Sequence, residues 1–224
     1  MWRYTYSAIL CIGFFLSAAQ DQETVEEILS LDSIPRFAIR EVGIHYNLLK
    51  PIESFVNPEI STQEIQAEVG INRFFLVLDM GFSNTSRGDS FQYTSEGSYW
   101  RAGIDANMST AWRDGNMIGL GLRYCRASYD ERINFDDTNV LSETTSVTLQ
   151  NTDMGAQWGE LVFKIRGEIQ NNLYAGYTMR YQFFQTIDER SENLETYDIP
   201  GFGRTFQRNS FGFDFYIGYK FDFR

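Results

Sequence analysis

The sequence is poor in the residues that most site chemistry uses. Its 224 residues include one histidine, His45, two cysteines, Cys11 and Cys125, and four prolines. One imidazole cannot make a multi-histidine metal site, and any Ser/His/Asp triad would depend on His45 alone. Basic excess is also missing: 19 Lys and Arg stand against 30 Asp and Glu, a formal charge of −11. That balance argues against nucleic acid, whose phosphates require a cationic face. The N-terminal apolar run, Ala8 to Leu16, is too short to cross a bilayer as a helix. What is plentiful is aromatic, with 13 Tyr and 19 Phe, which excludes a disordered acidic chain. The length suffices for a closed core or a barrel. A mean hydropathy of −0.33 looks like that of a water-soluble protein.

Residues 1–19 carry one charge at Arg3, then the apolar run, then Ser17-Ala-Ala19 before Gln20. This order predicts a cleaved secretory signal peptide, an N-terminal lead over 20–36 and a main domain over 37–224. Leu10 before Cys11 is bulky, so a lipoprotein cut is not expected there. With the signal gone, Cys125 has no intrachain disulfide partner. Asp32-Ser33-Ile34 resembles a periplasmic O-glycosylation site.

Beyond Pro35 the apolar residues repeat with period two. From Phe211 to Phe223 the odd positions are Phe211, Phe213, Phe215, Ile217, Tyr219, Phe221 and Phe223, while Asp214, Lys220 and Asp222 share the other face with Gly212, Tyr216 and Gly218. A strand separates these two sets and a helix would mix them. The same alternation runs through Val42–Leu48, Ile65–Ile71, Phe74–Phe82, Trp100–Met108, Ile118–Tyr124, Leu161–Ile169 and Leu173–Phe183. These make eight strands of about nine to eleven residues, the length a tilted membrane-spanning strand requires. Tight turns are expected at Gly70–Arg73, Arg113–Asn116 and Gln170–Asn172. Long polar connections are expected over Lys50–Ser61, Ser83–Gly97, Tyr129–Gly155 and Phe184–Arg208. Short turns at one end and long loops at the other predict an all-β fold: an eight-stranded antiparallel up-and-down transmembrane β-barrel of the outer-membrane type, with both termini in the periplasm.

A soluble barrel would put its apolar face inward, yet eight strands enclose too little space for this many large aromatics. The expected arrangement is therefore apolar outward to lipid, with a polar lumen filled by side chains. Its network comprises Glu41, His45, Glu68, Asp79, Arg101, Asp105, Arg123, Lys164, Arg166, Glu168, Arg180, Asp214 and Lys220. At the C-terminus, Tyr216, Gly218, Phe221 and Phe223 fit the polar-x-Gly-x-x-apolar-x-apolar pattern resembling the signal read by the barrel-assembly machinery, the expected insertion factor. No catalytic, cofactor or metal residues are assigned. Gly119-Leu-Gly121 lacks the rest of a dinucleotide turn. The carboxylates of Tyr129–Asp137 lack calcium-loop spacing and read as a solvated acidic loop.

Gly97-Ser-Tyr-Trp-Arg-Ala-Gly-Ile-Asp105, Asn116-Met-Ile-Gly-Leu-Gly-Leu-Arg-Tyr124, Gln157-Trp-Gly-Glu160, Glu168-Ile-Gln-Asn-Asn-Leu-Tyr-Ala-Gly176 and Tyr197-Asp-Ile-Pro-Gly-Phe202 occur in order. Together they resemble an uncharacterised Bacteroidota family, domain of unknown function six-zero-four-eight. The resemblance brings no activity, cofactor or catalytic residue with it. The expectation is a small non-conducting barrel in contact with outer-membrane lipid and lipopolysaccharide, acting as a structural or accessory subunit with protein partners in a larger outer-membrane complex. Alternatives are a lipid A-modifying enzyme using His45, which would need a hydroxyl beside it at the membrane rim, and an adhesin acting through acidic loops.

Overall fold

The computed structural model describes residues 38–88, 91–109, 116–138, 144–188, 196–206 and 208–223. The expected signal peptide, the whole of the expected lead over 20–36 with Ser33, and the turn residues 113–115 lie outside them. Eight long strands alternate direction around a closed ring: β1 (Ile39–Asn47), β2 (Ile60–Ile71), β3 (Phe74–Arg87), β4 (Phe91–Asn107), β5 (Met117–Thr138), β6 (Thr144–Gln170), β7 (Leu173–Asp188) and, after a short hairpin of β8 (Asp198–Ile199) and β9 (Gly203–Arg204), β10 (Ser210–Asp222). Counting the eight long strands alone, the order β1-β10-β7-β6-β5-β4-β3-β2 makes every pairing a sequence neighbour except the closure of β1 on β10. The protein is thus an all-β, antiparallel closed barrel.

Alternation turns directly into burial. Along β3, Phe75, Val77, Asp79, Gly81, Ser83 and Thr85 point inward and are buried, while Phe74, Leu76, Leu78, Met80 and Phe82 are exposed outside. Two turns use asparagine in the left-handed region, Asn72 (φ 56°) between β2 and β3 and Asn172 (φ 71°) between β6 and β7. Asparagine tolerates that region better than most residues with a Cβ.

Two of the expected long loops, Ser83–Gly97 and Tyr129–Gly155, are instead mostly strand, and Phe184–Arg208 begins with the end of a strand. β3 runs to Arg87 and β4 begins at Phe91, β5 and β6 pair up to Thr138↔Thr144, and β7 continues to Asp188. The physical reason is that the period continues after its chemistry changes. On β5 the outward residues are Ile118, Leu120, Leu122 and Tyr124, then Arg126, Ser128, Asp130 and Arg132. Polar residues on both faces look like a loop in sequence, but they pair as well as apolar ones when cross-strand neighbours are present. The acidic stretch Tyr129–Asp137 is corrected in the same way: Asp130 points outward and Glu131 inward, so its carboxylates do not form one solvated cluster.

The fourth expected loop, Lys50–Ser61, contains a helix, α1 (Leu49–Val56). Leu48, placed by alternation on the first strand, lies just past its end.

The hairpin β8–β9 folds back into the loop-end mouth of the barrel. Ile199 and Phe202 are buried with Tyr99, Cys125, Ala127, Tyr129, Met154, Ala156 and Trp158, with Phe202 set edge-on to Trp158 at 5.7 Å. Tyr99 sits against Gly201, whose φ is +81°. A smaller apolar group, Phe75, Val77 and Met117, forms a second cluster. The interior is therefore not uniformly polar, as alternation suggested, because it also holds these two apolar groups.

Candidate functional site

Among the described residues, the barrel interior concentrates ionisable side chains. Seven buried carboxylates (Glu64, Glu68, Asp79, Asp105, Glu131, Glu160, Asp214) meet six buried cations (Arg101, Arg123, Lys164, Arg166, Arg180, Lys220). The near-balance is what burial demands: an unpaired charge inside costs several kcal/mol, roughly, and opposite partners must recover it.

Near the turn end, Glu68 is the hub. Lys164 Nζ donates to its Oε2 at 2.6 Å, Arg166 Nη1 donates to its Oε1, and His45 Nε2 lies 3.3 Å from Oε1. Arg166 also donates to Glu41 Oε1 at 2.7 Å and stands over the rings of Phe75 and Tyr174 at 5.1 and 4.8 Å. Arg123 grips Asp105 in a fork of 2.5 and 2.8 Å, the two-point geometry that guanidinium and carboxylate share.

Higher up, Arg180 connects four carboxylates: Glu64 at 3.2 Å, Asp79 and Glu160 each at 3.5 Å, and Asp214, which it contacts directly. Arg101 joins Glu64 (2.6 Å) to Glu160 (3.1 Å) and donates Nη2 to the Gly201 carbonyl at 3.0 Å, so the charged layer is tied to the hairpin above it. Tyr99 Oη donates to Glu64 at 2.6 Å, and Trp158 Nε1 and Gln182 Nε2 donate to Glu160 at 2.8 and 3.0 Å.

All thirteen residues placed in the network by alternation take part in ion pairs, most of them deep in the interior. Glu168 is the one of them exposed at the turn end rather than enclosed: it keeps its place opposite Tyr174, with its carboxylate 4.0 Å from Lys220 Nζ. Lys220 belongs to this turn-end group, with Asp222 at 3.3 Å and the Tyr174 ring at 4.9 Å. Sequence reasoning left out two of the busiest carboxylates, Glu64 and Glu160, together with Asn47, whose Nδ2 donates to Asp214 Oδ1 at 2.5 Å. The signal was available: Glu64 shares parity with Glu68, and Glu160 with Lys164. Glu131, held by Tyr93 and Asn151 at 3.1 and 2.7 Å, was hidden because its stretch read as loop.

His45 is 1% exposed, its ring 4.9 Å from Tyr216. Gly218 lies opposite it across the β1–β10 pairing, and a Cβ there would stand 2.9 Å from the imidazole Cγ. Of the four C-terminal pattern residues, Tyr216 and Gly218 face inward, while Phe221 and Phe223 face out. The described residues contain no group of three His, Cys, Asp or Glu arranged to hold a metal.

At the loop end, Asp198 and Tyr93 have shifted acidity. Burial raises the Asp198 carboxyl above its usual range, against an opposing hydrogen bond from Thr85 Oγ1 at 2.7 Å. Burial, reinforced by the Glu131 carboxylate, keeps the Tyr93 phenol protonated. On the outer wall a cavity of about 490 Å³ lies beside Phe82, lined by Ser61, Gln63, Asn84, Ser98, Glu96 and Asp130 among others.

The fold and interior together define a class: a closed antiparallel β-barrel, apolar outside, filled by paired charges and capped at one mouth by its own hairpin. The chain belongs to the family described as Domain of unknown function (DUF6048), whose model matches residues 1–223. No curated protein matches it.

Proposed function

We propose that this chain is a transmembrane β-barrel of the outer-membrane type, closed to solutes, that serves as a structural or accessory subunit of a larger outer-membrane assembly. The observation carrying the membrane reading is the outward face. Exposed large apolar side chains occur on all eight long strands, and on β5 they give way to charge within one step of the alternation, at Tyr124 to Arg126. Trp100 and Tyr124 stand together at that level, ring centroids 5.6 Å apart, as aromatics do at a membrane interface. From Phe74 to Phe82 the apolar band rises roughly 20 Å, at about 3.4 Å per residue and a tilt near 40°. An apolar belt around a whole barrel far exceeds the largest patches that soluble monomers expose.

The subunit reading follows from the interior. Side chains and the hairpin fill it, which speaks against a pore, and His45 lies inside the wall against Glu68 rather than at a rim where a lipid could reach it. What remains for function is surface: the band against lipid and lipopolysaccharide, and the tall polar walls of β4, β5 and β6 for protein partners. The pattern Tyr216, Gly218, Phe221 and Phe223 fits substrates of the barrel-assembly machinery. The outer cavity beside Phe82 favours a second reading, adhesion through a surface ligand.

Extraction from native membranes tests both parts. Retention after alkaline carbonate washing, heat-shifted gel mobility and recovery in a particle larger than the monomer are expected. Release by carbonate would overturn the membrane reading, and recovery of the lone chain at full yield would overturn the subunit reading.

A further inference from the structure

The barrel wall is incomplete on one side. β1 pairs with β10 only from Glu41↔Asp222 to Asn47↔Tyr216, and with β2 only from Ile39↔Ile71 to Tyr46↔Ile65. Above that height β10 continues as Ser210–Phe215, with β7 as its one strand partner, and β2 continues as Ile60–Glu64, with β3 as its one strand partner. Among the described residues no strand stands between them. α1 occupies this seam. Leu48 N donates to the Phe215 carbonyl at 2.8 Å, where β1 ends. Ser54 Oγ accepts from Thr62 N at 3.4 Å on the β2 side, and Lys50 Nζ lies 3.8 Å from Asp214 on the β10 side.

A helix that closes a wall in water would turn its apolar stripe inward. α1 has no buried residue, and Ile52, Phe55 and Val56, at i, i+3 and i+4 on one face, are 55%, 89% and 81% exposed. Its polar contacts point the other way, Lys50 and Ser54 toward the barrel. The stripe adjoins the upper end of the lipid-facing band, where Phe211 and Phe213 also point outward. A short amphipathic helix with that polarity lies with its apolar face among acyl chains and its polar face toward headgroups or protein.

We propose that α1 is an interfacial membrane helix: Ile52, Phe55 and Val56 are immersed in the lipid of the loop-end leaflet, and the helix seals the seam between β2 and β10. Lipid is the occupant because the exposed stripe continues the apolar band, and because Lys50 and Ser54 are held on the barrel side by Asp214 and Thr62, with Glu53 beside the stripe paired to Lys50 at 3.9 Å. This rests on the membrane reading above. It gives the short first strand a role: β1 stops at Asn47 so that the chain can place a lipid-facing helix where a ninth or longer strand would leave β10 and β2 rigidly zipped.

The test places a fluorophore on single cysteines, F55C or L78C, in a Cys11→Ala background. Cys125 is fully buried and stays unlabelled in the folded barrel. The full-length protein is folded into phosphatidylcholine vesicles with and without bromine on the acyl chains. The expected result is comparable loss of fluorescence at both positions in brominated vesicles. Loss at L78C with none at F55C overturns the helix proposal and leaves the membrane reading intact. Loss at neither position overturns the membrane reading, and the helix proposal with it. Position 55 is almost fully exposed, so its labelling leaves the packing of the barrel unchanged, and heat-shifted gel mobility verifies folding of each labelled sample.

Discussion

At the scale of single residues, Arg180 has the most to lose. It is the shared partner of Glu64, Asp79, Glu160 and Asp214, and its removal leaves buried carboxylates without compensation. Arg180→Met should cost about 3–5 kcal/mol, measured by urea unfolding in lipid vesicles; a loss below about 1 kcal/mol, the scale of an exposed pair, would show that water reaches the network. Gly218 carries a second expectation. Gly218→Ala would set a methyl 2.8 Å from the Ile44 carbonyl and 2.9 Å from the His45 ring and should cost about 1–3 kcal/mol through overpacking; the share due to the ring should vanish in a His45→Ala background while the backbone share remains, since coupled contacts are not additive. Equal costs in both backgrounds would separate Gly218 from His45. The glycine of the C-terminal pattern thus has a packing reason beside any recognition reason. Such residues were legible by parity alone, because in a barrel every second position faces the same enclosed space. Which carboxylates become hubs was not: Glu64 and Glu160 earn that position from neighbours 37 and 59 residues away, Arg101 reaching both.

At the scale of elements, the eight strands and their order were readable because outward-facing apolar residues and inward-facing polar ones keep a strict period of two. The loop ends were not, because Ser83–Arg87 and Tyr129–Thr138 keep the period with polar residues on the outer face, and hydrophobicity cannot mark it there. The hairpin β8–β9 was also hidden, since its burial depends on Trp158, Tyr99 and Arg101 from distant strands. Two changes test its docking. Gly201→Val introduces a β-branched residue at φ +81° against the Tyr99 ring, at a cost of about 1–3 kcal/mol of local strain, so the amides of Phe202 and Thr205 should lose protection in hydrogen exchange while the mid-strand amides keep theirs. Uniform loss across the barrel would mean that the hairpin is not a separable unit. Asp198 sets the pH response. Its folded pKa is raised by burial, so its contribution is complete below the unfolded carboxylate value and is lost as pH rises through the folded one. After correction for intrinsic exchange, hairpin protection should therefore be greater at pH 4 than at pH 7, and Asp198→Asn should flatten the difference.

At the scale of the whole molecule, the question is what seals the barrel, since both the hairpin and the charged layer lie across its axis. The two differ in kind. The hairpin is a lid held by an apolar cluster and a few hydrogen bonds, including Arg101 and Gln182 to the Gly201 carbonyl. The layer below consists of side chains anchored on strands from every side of the ring, from Glu41 on β1 to Asp214 on β10. An eight-stranded barrel leaves room for side chains and little else, so the layer should suffice alone. Deleting residues 196–206 should therefore leave the protein non-conducting in a planar bilayer, with no discrete current steps, as for the intact chain. Steps appearing only in the deletion would make the hairpin the seal, and steps in the intact protein would sink the solid-lumen reading. The proposed membrane setting predicts a depth profile on the outer wall: Leu78→Arg, in mid-band, should destabilise by about 2–4 kcal/mol, whereas Ser128→Arg, above the Tyr124 level, should cost about 0–1 kcal/mol. Equal costs at the two positions would mean that no bilayer surrounds the band, because in water neither outward site distinguishes an arginine by its height along the barrel.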